Sequence, residues 1–156
     1  MGGHLATPGV HDARAEVLPY WTADTNAYPV IAVHLVGARG PQQSHPESFV
    51  RVVHGIIEKR EPVVVIYDLT GSRPDAQRRR LVVHWLKQNS ESLTRYVLAS
   101  AIVAPTPFHR GILVAIFWFI KPTRPLEVFA ARPAAMRWAI DQSQRSGLTH
   151  SASPYA

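Results

Sequence analysis

The 156-residue chain contains no cysteine, which excludes disulfides, zinc–thiolate sites and thiol catalysis. Acids are scarce beside bases: eleven Asp and Glu face seventeen Lys and Arg, for a net charge of +6. That balance permits attraction to anionic partners (nucleic acid, lipid headgroups, acidic proteins) without choosing among them. A Gly-rich P-loop with its lysine is missing, so nucleotide hydrolysis is not expected. Eight histidines are scattered over positions 4, 11, 34, 45, 54, 84, 109 and 150 with no His-x-His or His-Glu-x-x-His spacing, and no metal site is read from them. There is no Gly-x-Ser-x-Gly elbow either. The expectation is a protein that is not an enzyme and carries no cofactor. Met1-Gly-Gly-His-Leu-Ala-Thr-Pro8 lacks a basic region followed by an apolar core, so no secretory signal is read. A cytoplasmic protein is expected, peripheral to a membrane at most.

What is there is enough for a proper core: 46% of the residues are hydrophobic, and the length suits one domain. Gly-, Pro-, His- and Ser-rich ends at 1–14 and 144–156 read as flexible tails around a domain at 15–143. The most informative stretch is Pro62-Val-Val-Val-Ile-Tyr-Asp-Leu-Thr-Gly-Ser-Arg-Pro-Asp75. Val63 to Tyr67 are β-branched or aromatic without interruption, the pattern of a strand buried on both faces of a parallel sheet. Asp68 marks its carboxyl end, the edge where open α/β sheets usually bind ligands.

Glu16 to Trp21 and Val30 to Val36 read as antiparallel strands joined by a short polar turn. Ser44-His-Pro-Glu47 has capping-box spacing ahead of a helix whose stripe is Phe49, Val50, Val53, Ile56 and Ile57. Ser72-Arg-Pro-Asp75 repeats that logic, with Ser72 as the expected cap of a helix packing through Leu81, Val82, Trp85 and Leu86. Val97 to Val103 is a further buried strand. Thr106-Pro107 then opens a helix expected to run to Lys121. Leu126 to Phe129 reads as a short strand, and Pro133 opens the last helix. The order β-β-α-β-α-β-α-β-α predicts a five-stranded mixed sheet and four helices, with the first strand alone antiparallel.

The signature Ile66-Tyr-Asp-Leu-Thr-Gly71, Arg95-Tyr-Val-Leu-Ala-Ser-Ala-Ile-Val-Ala104 and Leu126-Glu-Val-Phe-Ala130 followed by Ala135-Met-Arg-Trp-Ala-Ile140 resemble the SpoIIAA-like superfamily. That superfamily includes STAS domains and the lipid-binding CRAL-TRIO/SEC14 domains. The resemblance covers about residues 16–141 and is nearest to the stand-alone bacterial SpoIIAA-like proteins. It implies a SpoIIAA/STAS-like α/β fold and a regulatory domain that binds protein partners. Phosphoregulated STAS domains carry an Asp-Ser-x-Gly-like motif in the loop after the third strand. Here that loop reads Asp68-Leu69-Thr70-Gly71-Ser72 and has no Asp-Ser pair.

Three candidate sites follow. The carboxyl-edge loops would bring together Gly37, Asp68, Thr70, Gly71, Ser72, Thr106 and Arg132, either to hold a small anionic or lipid-like ligand at the helix starts or to present a phosphoacceptor. Arg78, Arg79 and Arg80 would form a basic rim. The third is the ten-residue run Gly111 to Ile120, which has no polar side chain. It is far short of the about 20 residues that span a bilayer. It has no polar face for water. Ile112, Ile116, Phe117, Trp118 and Phe119 are its candidate contact residues. Three consecutive aromatics cover about 200° of a helix, so one packed face does not hide them all. The expected partner is a protein, a second copy of the chain in a homodimer, or a lipid surface; nucleic acid is not expected, because the aromatics lie among aliphatic neighbours rather than on a base-stacking platform.

Overall fold

Unbroken β-branched runs make the central strands of the computed structural model, which describes residues 20–36, 46–148 and 152–155. β1 (Tyr20–Asp24), β2 (Val30–Val36), β3 (Val63–Asp68), β4 (Val97–Val103) and β5 (Leu126–Phe129) form one sheet in the order β1-β2-β3-β4-β5. β1 pairs antiparallel with β2, and every other pairing is parallel. The class is α/β with a five-stranded mixed sheet. In β3 the side chains of Val63 to Ile66 are all fully buried, because both faces of the strand are covered.

The two faces are covered differently. Strands that are neighbours in both sequence and space need crossovers, and right-handed crossovers place their helices on one side. That side carries α1 (Pro46–Glu58), α2 (Ala76–Gln88), α3 (Ser90–Tyr96) and α4 (Pro107–Phe117). Ile56 and Ile57 of α1 pack there on Ile31, Val33, Val63 and Val65. α5 (Arg132–Arg145) follows the last strand and covers the other face. Its Ala135 and Ala139, both fully buried, lie against Ala99, Ala101, Val64 and Ile66. Small residues on both partners let this helix sit close to the sheet. Tyr155, in the stretch read as a flexible tail, packs its ring 6.2 Å from that of Tyr28.

Several boundaries differ from the sequence reading. The described residues hold five helices rather than four. α2 stops where Asn89 turns its side-chain amide onto the Trp85 carbonyl, and the chain re-enters a helix at Ser90. β1 begins at Tyr20 among the described residues; the Ser44 cap and the 1–14 tail lie outside them. The cap of α2 is Asp75, not Ser72: its Oδ1 accepts from the Arg78 amide at 2.8 Å. Pro74 accounts for the shift, since a residue preceding proline is held out of the helical region. Leu81 is exposed rather than packed, and α2 buries no side chain fully. α4 ends at Phe117, short of Lys121. No helix among the described residues is long and apolar enough to cross a membrane.

Candidate functional site

At the carboxyl edge, β3 delivers Asp68 into a tight turn. Its Oδ1 accepts from the Thr70 amide at 3.0 Å, and the Ser72 amide donates to the Leu69 carbonyl at 2.9 Å. Gly71 supplies the left-handed residue of that turn with φ 77°. Arg132, opening α5, reaches both Asp24 (3.5 Å) and Asp68 (4.0 Å). Thr70 is exposed and Ser72 is buried. Gly37 lies outside the described residues.

The start of α4 is tied to this turn. Thr106 caps the helix, its Oγ1 accepting from the His109 amide at 3.3 Å, with Pro107 at the first position as the Thr-Pro pair predicts. His109 is buried and bridges the two segments. Its Nε2 donates to the Ser72 carbonyl at 2.8 Å, and its Nδ1 sits 2.7 Å from Thr106 Oγ1. A carbonyl only accepts, so Nε2 carries the proton of that bond. The helix starts are thus met by groups of the chain itself: Asp75 caps α2, and Thr106 caps α4.

The larger feature lies beside these loops. α2 and α4 are linked at one end by the His109–Ser72 bond, from α4 to the loop before α2, and at the other by Lys87 of α2, whose ammonium sits 5.3 Å over the ring of Phe119 just after α4. Between them, over β3, β4 and β5, opens a cavity of about 820 Å³. Val82 and Leu86 of α2 form one wall. Ile112, Leu113, Ile116 and Phe117 of α4 form the other, and Tyr67, Ser100, Ile102 and Leu126 form the floor. Arg78 and Arg79 stand at one end, and Arg95, Lys121 and Arg124 stand at the other. Arg78 is paired with Asp75, and the Arg79 guanidinium donates to the Pro74 carbonyl at 3.2 Å. Arg80 points to solvent.

Tyr67 is the polar group on the floor. Burial pushes its phenol up to about 12, and a hydrogen bond with Ser100 pulls it partly back. The hydroxyl therefore stays neutral across the physiological range.

α4 and the turn that follows it divide their apolar side chains between two environments. Ile112 is buried, Ile116 and Phe117 are half-buried, and Val114, Trp118 and Phe119 are 58%, 81% and 67% exposed. Sequence reasoning missed His109, the Tyr67–Ser100 pair and the far-end cations Arg95, Lys121 and Arg124. The three-residue spacing from Thr106 to His109 is the one local signal that pointed to the bridge. Among the described residues no group of three or more His, Asp or Glu side chains is placed to hold a metal ion. The chain matches no family model, and no curated protein or solved structure is significantly similar to it.

Proposed function

We propose that this chain is a non-catalytic SpoIIAA/STAS-like binding domain that holds an amphipathic ligand, with a long apolar body and an anionic head, in the cavity between α2 and α4. The observation that carries the reading is the cavity itself. Ligand sites usually measure about 300–1,000 Å³, are lined mainly by aliphatic and aromatic side chains, and hold a few convergent polar groups. At about 820 Å³, with Tyr67 and Ser100 on its floor and cations at both ends, this one has that make-up. Protein interiors ordinarily pack with few voids larger than a water molecule. An apolar space of this size between two helices that stand off the sheet favours an occupant over simple looseness. The polar groups around it are engaged with one another, His109 with Ser72 and Thr106, and Tyr67 with Ser100, which suits holding a ligand rather than transforming one.

The protein purified from its native host should carry a ligand adduct in native mass spectrometry. After extraction of that ligand, hexadecanoate or a lysophosphatidate should raise the melting temperature. A ligand at one hundred times its dissociation constant adds about 2.7 kcal/mol, which is roughly 5–10 °C for a chain of this size. Ile116→Trp and Val82→Trp each fill the space and should abolish that rise while the folded spectrum persists. A stripped protein indifferent to both head groups, and free of any adduct beforehand, defeats the proposal.

A further inference from the structure

The net charge is not spread over the molecule. The segments 76–90 and 105–126, which build the two cavity walls, hold seven of the seventeen Lys and Arg (Arg78, Arg79, Arg80, Lys87, Arg110, Lys121 and Arg124) and none of the eleven acids. The remaining ten cations are outnumbered by those eleven acids, so the whole of the +6 charge resides on these walls. The acids that flank α2 are already engaged: Asp75 pairs with Arg78, and Glu91 lies 3.6 Å from Arg95. The four most exposed large apolar side chains among the described residues occupy the same segments: Leu81 on α2, Val114 on α4, and Trp118 and Phe119 just after it. Lys87 sets its ammonium over the Phe119 ring, and Lys121 follows Phe119 two residues on in the sequence.

We infer that the outer face of α2 and α4 is a docking surface for an anionic lipid bilayer, with Trp118 and Phe119 entering the headgroup region. Trp is favoured at the membrane–water boundary because its ring is apolar and its N–H is polar. Lys and Arg near an anionic surface each contribute about 1 kcal/mol of attraction, so removing one weakens partitioning about fivefold. A segment of one turn plus two rings lies in the interface rather than across it. A protein partner or a second copy would match the apolar groups but gives no reason for two helices that carry no acid. Nucleic acid would match the charge but leaves Trp118 and Phe119 among aliphatic neighbours with no role. The bilayer uses both features, and it does so whether or not the cavity is filled.

Flotation of the full chain with vesicles tests this. Binding to phosphatidylcholine vesicles containing 30% phosphatidylglycerol is expected (a composition of about one-third anionic lipid gives an attractive surface potential), and binding to pure phosphatidylcholine should be at least tenfold weaker. Salt near 0.5 M should weaken binding by screening. Trp118→Glu should abolish it. Lys121→Glu and Arg80→Glu, both at exposed sites where folding is safe, should each weaken it about fivefold or more. Arg137→Glu on α5 changes the net charge equally on the opposite face and should leave binding as it was. The inference is overturned by no binding to anionic vesicles, by equal loss in Arg137→Glu and Lys121→Glu, or by equal affinity for neutral vesicles. It is also overturned by a dimer in light scattering that Trp118→Glu disperses while vesicles bind neither form, or by single-stranded RNA binding that competes vesicles away.

Discussion

Tyr67 shows at the scale of one residue how the cavity floor leaves a mark in solution. Its phenol ionises near 10 when free and near 12 in the folded chain, where burial disfavours the phenolate. The folded state therefore holds the proton more tightly than the unfolded one. The associated stability is fully present below pH 10 and is lost as pH rises from 10 toward 12. Between pH 9 and 11.5 the wild type should lose about 2 kcal/mol more than Tyr67→Phe, read from urea midpoints of both proteins. Equal losses would mean that water reaches the phenol freely. Asp75 illustrates why single residues are only partly legible in advance. The stretch Ser72-Arg-Pro-Asp75 offers two good capping side chains, and local spacing favoured the first. The choice falls to the second because Pro74 fixes the entry of the chain, and Ser72 instead surrenders its carbonyl to His109 from α4, which no local pattern reports.

Whole elements were easier to read where the hydrophobic period is strong. β3 and β4 follow from continuous β-branched runs, and the lack of a polar face on α4 is plain in the run from Gly111 to Ile120. α3 escaped because Ser90–Tyr96 is seven residues long and has two large apolar positions, Leu93 and Tyr96, too few to set a period. The cavity escaped for a different reason: sequence reports which side chains avoid water, not how far a helix stands from its sheet. α5 marks the opposite case, a helix brought close by alanines. Ala139→Leu should cost about 1–3 kcal/mol through overpacking against Ala99 and Ala101. That lowers the melting temperature by roughly 2–12 °C at this chain length, a shift calorimetry resolves. An unchanged melting point would show that the helix can withdraw at no cost.

Across the whole molecule, one sheet separates two halves of opposite character. Seven cations without an acid, the most exposed aromatics and the cavity lie on the side of α2 and α4, while α5 on the other face is tightly packed and carries three arginines and one acid. β3 and β4, central in the sheet and paired on both sides, hold both halves to one frame. The alanine seam under α5 has a mechanical consequence. A helix seated without gaps opens only when the sheet itself comes apart, whereas α4 meets the sheet mainly through Leu113 against Ile102 and Ala104 and turns Ile116 and Phe117 to the cavity. Amides of α5, β3 and β4 should exchange with deuterium only through global opening, and those of α4 through a local event of much lower free energy. Mass-resolved exchange that finds α4 as protected as α5 would contradict this. The fold thus sets a closely seated helix on one face against a cavity-lining helix on the other, and the order in which the two faces open under exchange follows from that difference in packing.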